Sequence, residues 1–187
     1  MDLFRITKSK TREKILQLLF ADINKKYYPR QLEKILELPV SNIHRELLSL
    51  EKSGLLRKEK IGNSVFYYLN RESAIFNDFK NIVFKTIGIE GTLRKELKKI
   101  KGIERAFIFG SFAKNKEDSS SDVDLMIIGG INEDELVEKI SNLENLLNRE
   151  INYHIWSEKE FKKKAKTESF IQSILDGPKI ELIWNHL

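Results

Sequence analysis

The chain has 187 residues, 33 Lys/Arg against 28 Asp/Glu, and a formal net charge of +5. It has no cysteine, which excludes disulfides, Cys-ligated zinc and thiol catalysis, and its histidines, His44, His154 and His186, stand too far apart to suggest a His-based metal site. No apolar run reaches membrane-spanning length and the N-terminus lacks a secretory apolar segment, so a cytoplasmic protein with no membrane partner is expected.

The charge is unevenly spread. Residues 1–87 hold 17 Lys/Arg against 10 Asp/Glu, a balance of +7, and residues 88–187 hold 16 against 18, a balance of −2. Such asymmetry suggests two modules. Nucleic acid is the natural partner of the basic one, with a solvated Lys-rich surface as the plainer alternative.

In chain order, "KSKTREKILQLLFAD" puts Ile15, Leu16, Leu18, Leu19 and Phe20 on helical spacing among cations. "PRQLEKILEL" follows, with Pro29 suited to a first turn and Leu32, Ile35 and Leu36 on one stripe. "LPV" breaks the pattern. Ser41 is then placed to cap a third helix, "NIHRELLSLEKSG", with Ile43, Leu47 and Leu50 at i, i+4, i+7 and Gly54 as its stop. "LLRKEKIGNSVFYYLN" reads as two short strands about a Gly62-Asn63 turn.

Two helices, a short turn, a third helix and a hairpin follow the order of a winged helix-turn-helix. In that geometry the third helix enters the major groove of double-stranded DNA with its N-terminal residues toward the base edges. Those residues are Ser41, Asn42, His44 and Arg45. The hairpin offers Arg57, Lys58 and Lys60 to phosphates, and Lys8, Lys10 and Arg30 can add to them. Winged helices also bind protein, but the polar face of the third helix, the basic wing and the charge split agree on DNA. Residues 8–70 resemble the winged-helix regulators of bacteria and archaea.

"SAIFNDFKNIVFKTIGI" sets Ile75, Phe76, Phe79, Ile82 and Val83 on a broad helical stripe, which reads either as a rigid connector or as a homodimer contact. Gly88 and Gly91 punctuate, and "TLRKELKKI" starts a further helix.

"RAFIFG" reads as a buried strand running into Gly110-Ser111, a strand-to-helix turn where backbone N–H groups and a hydroxyl can approach a phosphate. After a polar, Ser-rich stretch, "DVDLMII" is a second strand. Side chains at i and i+2 share a face, so Asp122 and Asp124 point the same way and repel. A cation between them removes the conflict. Mg²⁺ suits such oxygens, being held by one or two carboxylates plus substrate phosphates.

This pattern, a strand ending in Gly110-Ser111 and a strand opening on Asp122-Val123-Asp124-Leu125, resembles the signature of the DNA polymerase beta-type nucleotidyltransferase superfamily, in particular its minimal bacterial and archaeal members. The resemblance covers residues 90–187. It implies a small mixed sheet with flanking helices, and transfer of a nucleoside monophosphate from NTP with Mg²⁺ and release of pyrophosphate. It also implies that Gly110 and Ser111 contact the triphosphate, that Asp122 and Asp124 are catalytic and hold the metal, and that a third carboxylate stands on a later strand. In "INYHIWS" that position holds Asn152, which has no charge and cannot serve as a general base. Glu150 matches by alternation at the strand's entrance.

The expected fold class is therefore α+β. A winged helix of helices with a β-hairpin spans residues 1–71, a connecting helix spans 72–89, and a nucleotidyltransferase-like domain spans 90–187. Ser157 and Glu160 form a capping-box pattern, Lys162, Lys163, Lys164 and Lys166 read as a solvated helix face, and "KIELIW" closes the fold as a strand. Three functions compete: a DNA-binding transcriptional regulator whose second half binds NTP–Mg with weak or absent turnover; an active transferase acting on a protein, RNA or small molecule, by analogy of toxin–antitoxin type; and a scaffold binding protein through both halves.

Overall fold

The structure is a computed structural model that describes residues 9–114, 116 and 121–185. Lys8 and His186 lie outside the described residues. The chain divides into two units, Met1–Gly88 and Ile89–Leu187.

The first unit contains α1 (Lys10–Ala21), α2 (Pro29–Leu36), α3 (Val40–Lys52), β1 (Leu56–Ile61), β2 (Ser64–Leu69) and α4 (Phe76–Thr86). Its core is the apolar stripe of each helix: Ile15, Leu16 and Leu19 of α1, Leu32 of α2, and Ile43, Leu47 and Leu50 of α3 are all buried. Burial of each such side chain contributes about 1.5–3 kcal/mol against leaving it in water. A polar clasp adds direction. Arg12 Nε meets Glu46 Oε2 at 2.7 Å and Ser9 Oγ donates to Glu46 Oε1 at 2.7 Å, fastening the start of α1 to α3.

Residues 37–39 turn the chain between α2 and α3, with Glu37 in the left-handed region at φ 53. β1 and β2 pair antiparallel from Leu56↔Leu69 to Ile61↔Ser64, so Gly62 and Asn63 form a two-residue turn in which Gly62 adopts φ 58. Tyr27 bridges to Tyr67 through reciprocal backbone bonds of 3.0 and 2.8 Å, adding a third backbone segment beside the hairpin. α4 packs on α1: the Phe20 ring lies 6.1 Å from Phe76 and 5.9 Å from Phe79.

Two local expectations are corrected here. α3 starts at Val40 with Pro39 in the cap position, its φ of −56 shared with helix and its ψ of 130 outside it; Ser41 sits in the first turn and makes no cap hydrogen bond. Ile35 is exposed, because only Leu32 on α2 faces the α1–α3 core fully.

The second unit contains α5 (Ile89–Leu97), β3 (Ile103–Phe109), α6 (Gly110–Ala113), β4 (Val123–Gly129), α7 (Glu133–Leu147), β5 (Ile151–Trp156), α8 (Glu158–Thr167), α9 (Ser169–Asp176) and β6 (Ile180–Trp184). Gly91 lies inside α5 rather than ahead of it. The strands form one mixed sheet in the order β5-β4-β3-β6, with β4 and β5 parallel and the other pairs antiparallel. Phe107, Phe109, Met126 and Ile128 share one face and pack with Phe161 of α8 and Ile171 and Ile174 of α9. Ile108, Leu125 and Ile127 point to the other face by alternation and are equally buried. Asn132 caps α7 ahead of three acids in its first turn, and Ser157 and Glu160 form the reciprocal capping box on α8. The molecule is thus mixed α+β, with small sheets and helices.

Candidate functional site

Strand register gathers the second unit's polar residues at one end of its sheet. Asp124 pairs with Phe109 across the antiparallel β3–β4 ladder and with Asn152 across the parallel β4–β5 ladder. Asp122 stands just before β4, exposed, while Asp124 is half-buried. The Asn152 amide nitrogen donates to Asp122 Oδ2 at 3.3 Å. Gly110 adopts φ 71, and a Cβ built there would meet Asp124 Oδ2 at 1.9 Å. Only a residue without a side chain lets the β3–α6 turn close onto that carboxylate. Ser111 follows, half-buried, in the single turn of α6.

Burial pushes the Asp124 carboxyl above the usual carboxylate range, and the neighbouring charge of Asp122 pushes it further, with His154 pulling back. The Asp122 charge is therefore an unfavourable neighbour for Asp124, offset only in part by His154. This chemistry fits a hard divalent cation completed by ligands from outside the protein. The protein's own donors stop at that pair: among the described residues no group of three or more His, Asp or Glu could hold a metal ion.

Asn152 does occupy the place beside Asp124. Glu150 precedes β5 and is exposed, and its carbonyl accepts from Val123 N at 2.9 Å. Extending the Val123↔Ile151 register by one step sets Glu150 next to Asp122. Sequence reasoning missed the rings at this end of the sheet, Phe109, His154 and Phe170. Alternation from Asn152 could have placed His154, and Ser169 with Gln172, an S-x-x-Q pattern, could have marked the start of α9 that carries Phe170.

In the first unit, Ser41, His44 and Arg45 are exposed and Asn42 half-buried at the start of α3. Arg45 Nη2 donates to Asn42 Oδ1 at 3.3 Å. Ser41, His44, Arg45, Leu48, Ser49 and Lys52 line an open hollow of about 480 Å³. On the hairpin, Arg57 pairs with Glu72 at 2.7 Å and Lys58 with Glu51 at 3.4 Å, whereas Lys60 has no ion pair among the described residues. Such exposed pairs are weak and screened by salt, so a phosphate can displace them. Lys10 and Arg30 are exposed.

Residues 91–176 match the family model described as Nucleotidyltransferase domain, a match that lies within the second unit and covers most of it. No curated protein matches the sequence. Among solved structures, reduced HlyU from Vibrio cholerae N16961 is similar at 25% identity and TM-score 0.35, over 41% of this chain and 76% of that one. A toxin–antitoxin with AMP-PNP is similar at 15% identity and TM-score 0.39, over 52% and 74%. TrmBL2, an archaeal chromatin protein, is similar at 18% identity and TM-score 0.29, over 94% and 75%. Among the described residues no helix is long and apolar enough to cross a membrane.

Proposed function

We propose that the protein is a DNA-binding transcriptional regulator: a winged helix-turn-helix over residues 1–71, a connecting segment over 72–89, and a nucleotidyltransferase-like domain over 90–187 that binds NTP–Mg with weak or absent turnover. The weak or absent turnover in this reading rests above all on Asn152. Asp122 and Asp124 share a face whose third neighbour is an amide, not an acid. Two carboxylates suffice to hold Mg²⁺ against a triphosphate. Activating an acceptor hydroxyl calls for a proton acceptor and a second metal position, and Asn152 offers neither.

In this reading Asp122 and Asp124 hold Mg²⁺, which offsets the charge of the triphosphate when bound. Gly110 and Ser111 line the phosphate side. α3 reads duplex DNA with Ser41, Asn42, His44 and Arg45, while Arg57, Lys58 and Lys60 meet phosphates. Ile75 and Ile82, the exposed part of the α4 stripe, are a candidate homodimer contact.

The test is thermal unfolding with each NTP, with and without Mg²⁺. A ligand at 100 times its Kd adds about 2.7 kcal/mol to the unit that binds it. The gain is expected only with both components present, and Asp122→Ala is expected to remove it. An unchanged shift in that variant would overturn the clamp.

A second reading, active transfer of NMP, has one observation in its favour. Glu150 is exposed beside Asp122, where a carboxylate could receive the acceptor's proton as its oxygen bonds the α-phosphorus and pyrophosphate leaves. Release of labelled pyrophosphate separates the two readings.

A further inference from the structure

α8 and α9 cover one face of the second unit's sheet, but not the end that carries Asp122, Asp124 and Asn152. Phe170, in the first turn of α9, stands at that border. The buried stripe of α9 is Ile171 and Ile174, and Phe170 lies off it with 51% of its surface exposed. Its ring is nonetheless held on its inner side. It meets His154 edge-on at 5.7 Å and Phe109 edge-on at 6.4 Å, and His154 stacks on Phe109 at 6.3 Å. Phe109 is the register partner of Asp124, and His154 is two residues along β5 from Asn152 on the same face. A fixed aromatic cluster with one open ring thus adjoins the two carboxylates.

We propose that Phe170, backed by His154 and Phe109, is the stacking platform for the base of the nucleotide whose phosphates meet Asp122 and Asp124; this rests on the NTP–Mg reading above. A nucleoside triphosphate joins an anionic end to a flat apolar end a few ångströms away. The site offers the complementary pair in that order: carboxylates awaiting a cation and phosphates, then an aromatic face. Stacking accepts any base, because every base has a π-face, so the platform sets affinity for nucleotides as a class and not the choice among them. Packing against His154 and Phe109 keeps the ring in place before the ligand arrives, which spares the ligand the cost of ordering it.

The experiment is calorimetric titration with Mg²⁺ and three probes: the α,β-methylene analogues of ATP and UTP, whose bridge cannot be cleaved at the α-phosphorus, and inorganic tripolyphosphate. Phe170→Ala is expected to weaken both analogues about 10- to 100-fold. Tripolyphosphate affinity is expected to stay as in the wild type, which also certifies that the variant is folded. Phe170→Trp is expected to retain nucleotide affinity, and Phe170→Leu, apolar but without a π-face, to resemble Phe170→Ala. Unchanged analogue binding in Phe170→Ala, full affinity in Phe170→Leu, or parallel loss of tripolyphosphate would each overturn the platform while leaving the clamp standing. A wild type that binds none of the three probes would remove the nucleotide reading itself.

Discussion

Glu46 in the first unit and Asp124 in the second are both carboxylates drawn out of water, and their surroundings treat them in opposite ways. Glu46, 7% exposed, loses solvation, which alone would raise its pKa. The hydrogen bonds from Ser9 and Arg12, and the charge of Arg12, outweigh that loss and hold the carboxyl below its usual range. Asp124 also loses solvation, and the charge of Asp122 adds to the effect and outweighs the pull of His154, so its carboxyl is held above the usual range. The first acid completes the fold. The second is a conflict that the fold leaves open, and perturbed acids of that kind gather at sites that take ligands.

The largest expected effect comes from deepening that conflict. Asn152→Asp replaces the amide that donates to Asp122 with a third carboxylate. The unliganded second unit is expected to lose stability. Any transfer activity is expected to rise by about 10² to 10³-fold, the scale of one preorganised electrostatic group. Labelled pyrophosphate release from each NTP, with protein and RNA acceptors, checks it. Brisk turnover in the wild type that the substitution leaves alone would point to Glu150 instead.

Breaking the opposite case comes next. Glu46→Gln leaves Arg12 and Ser9 without their anion and is expected to cost about 1–3 kcal/mol of unfolding free energy, measured by urea titration. The pH dependence follows by linkage. Because the folded pKa lies below the ordinary value of 4.5, the stabilisation is fully present above that value. It is lost as pH falls through the lower, folded pKa. Glu46→Gln should flatten acid unfolding in this window, and above it should lower stability by a constant amount without changing the slope with pH.

The cations of the first unit extend the comparison, since some are satisfied within the fold and others are not. Arg45 bonds the neutral Asn42 and forms no ion pair among the described residues, though its charge reaches Glu46, whereas Lys58 already has Glu51. Arg45→Ala is expected to cost specific DNA binding about 1–3 kcal/mol and to reduce it more than non-specific binding, while Lys58→Ala weakens both alike. Binding to duplex DNA should also weaken steeply with salt. Electrophoretic shifts over a salt series measure all three. No binding of genomic fragments at low salt would dismiss the DNA reading.

How much of this was legible in the sequence depends on the range of the interaction. Ile43, Leu47 and Leu50, the Gly62-Asn63 turn and the Ser157–Glu160 capping box are set by neighbours within a few residues, and their patterns showed. Asn152 was put forward by the resemblance to the nucleotidyltransferase signature, and the parallel β4–β5 register sets it beside Asp124. The Ser9–Arg12–Glu46 clasp and the Phe109–His154–Phe170 cluster were not legible. Each depends on side chains 37 or 61 positions apart meeting in space. The start of α3 was misplaced because Pro39 and Ser41 both qualify as entry residues, and the cap falls on Pro39.

The smallest expected effect bears most directly on the contrast between the two acids. Asp124→Asn keeps the shape of the side chain and removes the charge that repels Asp122. The amide still fits against Gly110, whose missing Cβ leaves the space. If the carboxylate pair is a site held open for a ligand, the unliganded protein should become slightly more stable, by up to about 1 kcal/mol, as happens when function is bought with strain. The stabilisation by NTP–Mg should vanish in the same protein, because one of the two anionic ligands is gone. Opposite signs in the two measurements are the signature of a functional acid. A structural acid gives one sign only: Glu46→Gln should lower stability with or without ligand. Should Asp124→Asn instead destabilise the unliganded protein as Glu46→Gln does, Asp124 belongs to the fold, and the distinction drawn between the two carboxylates fails.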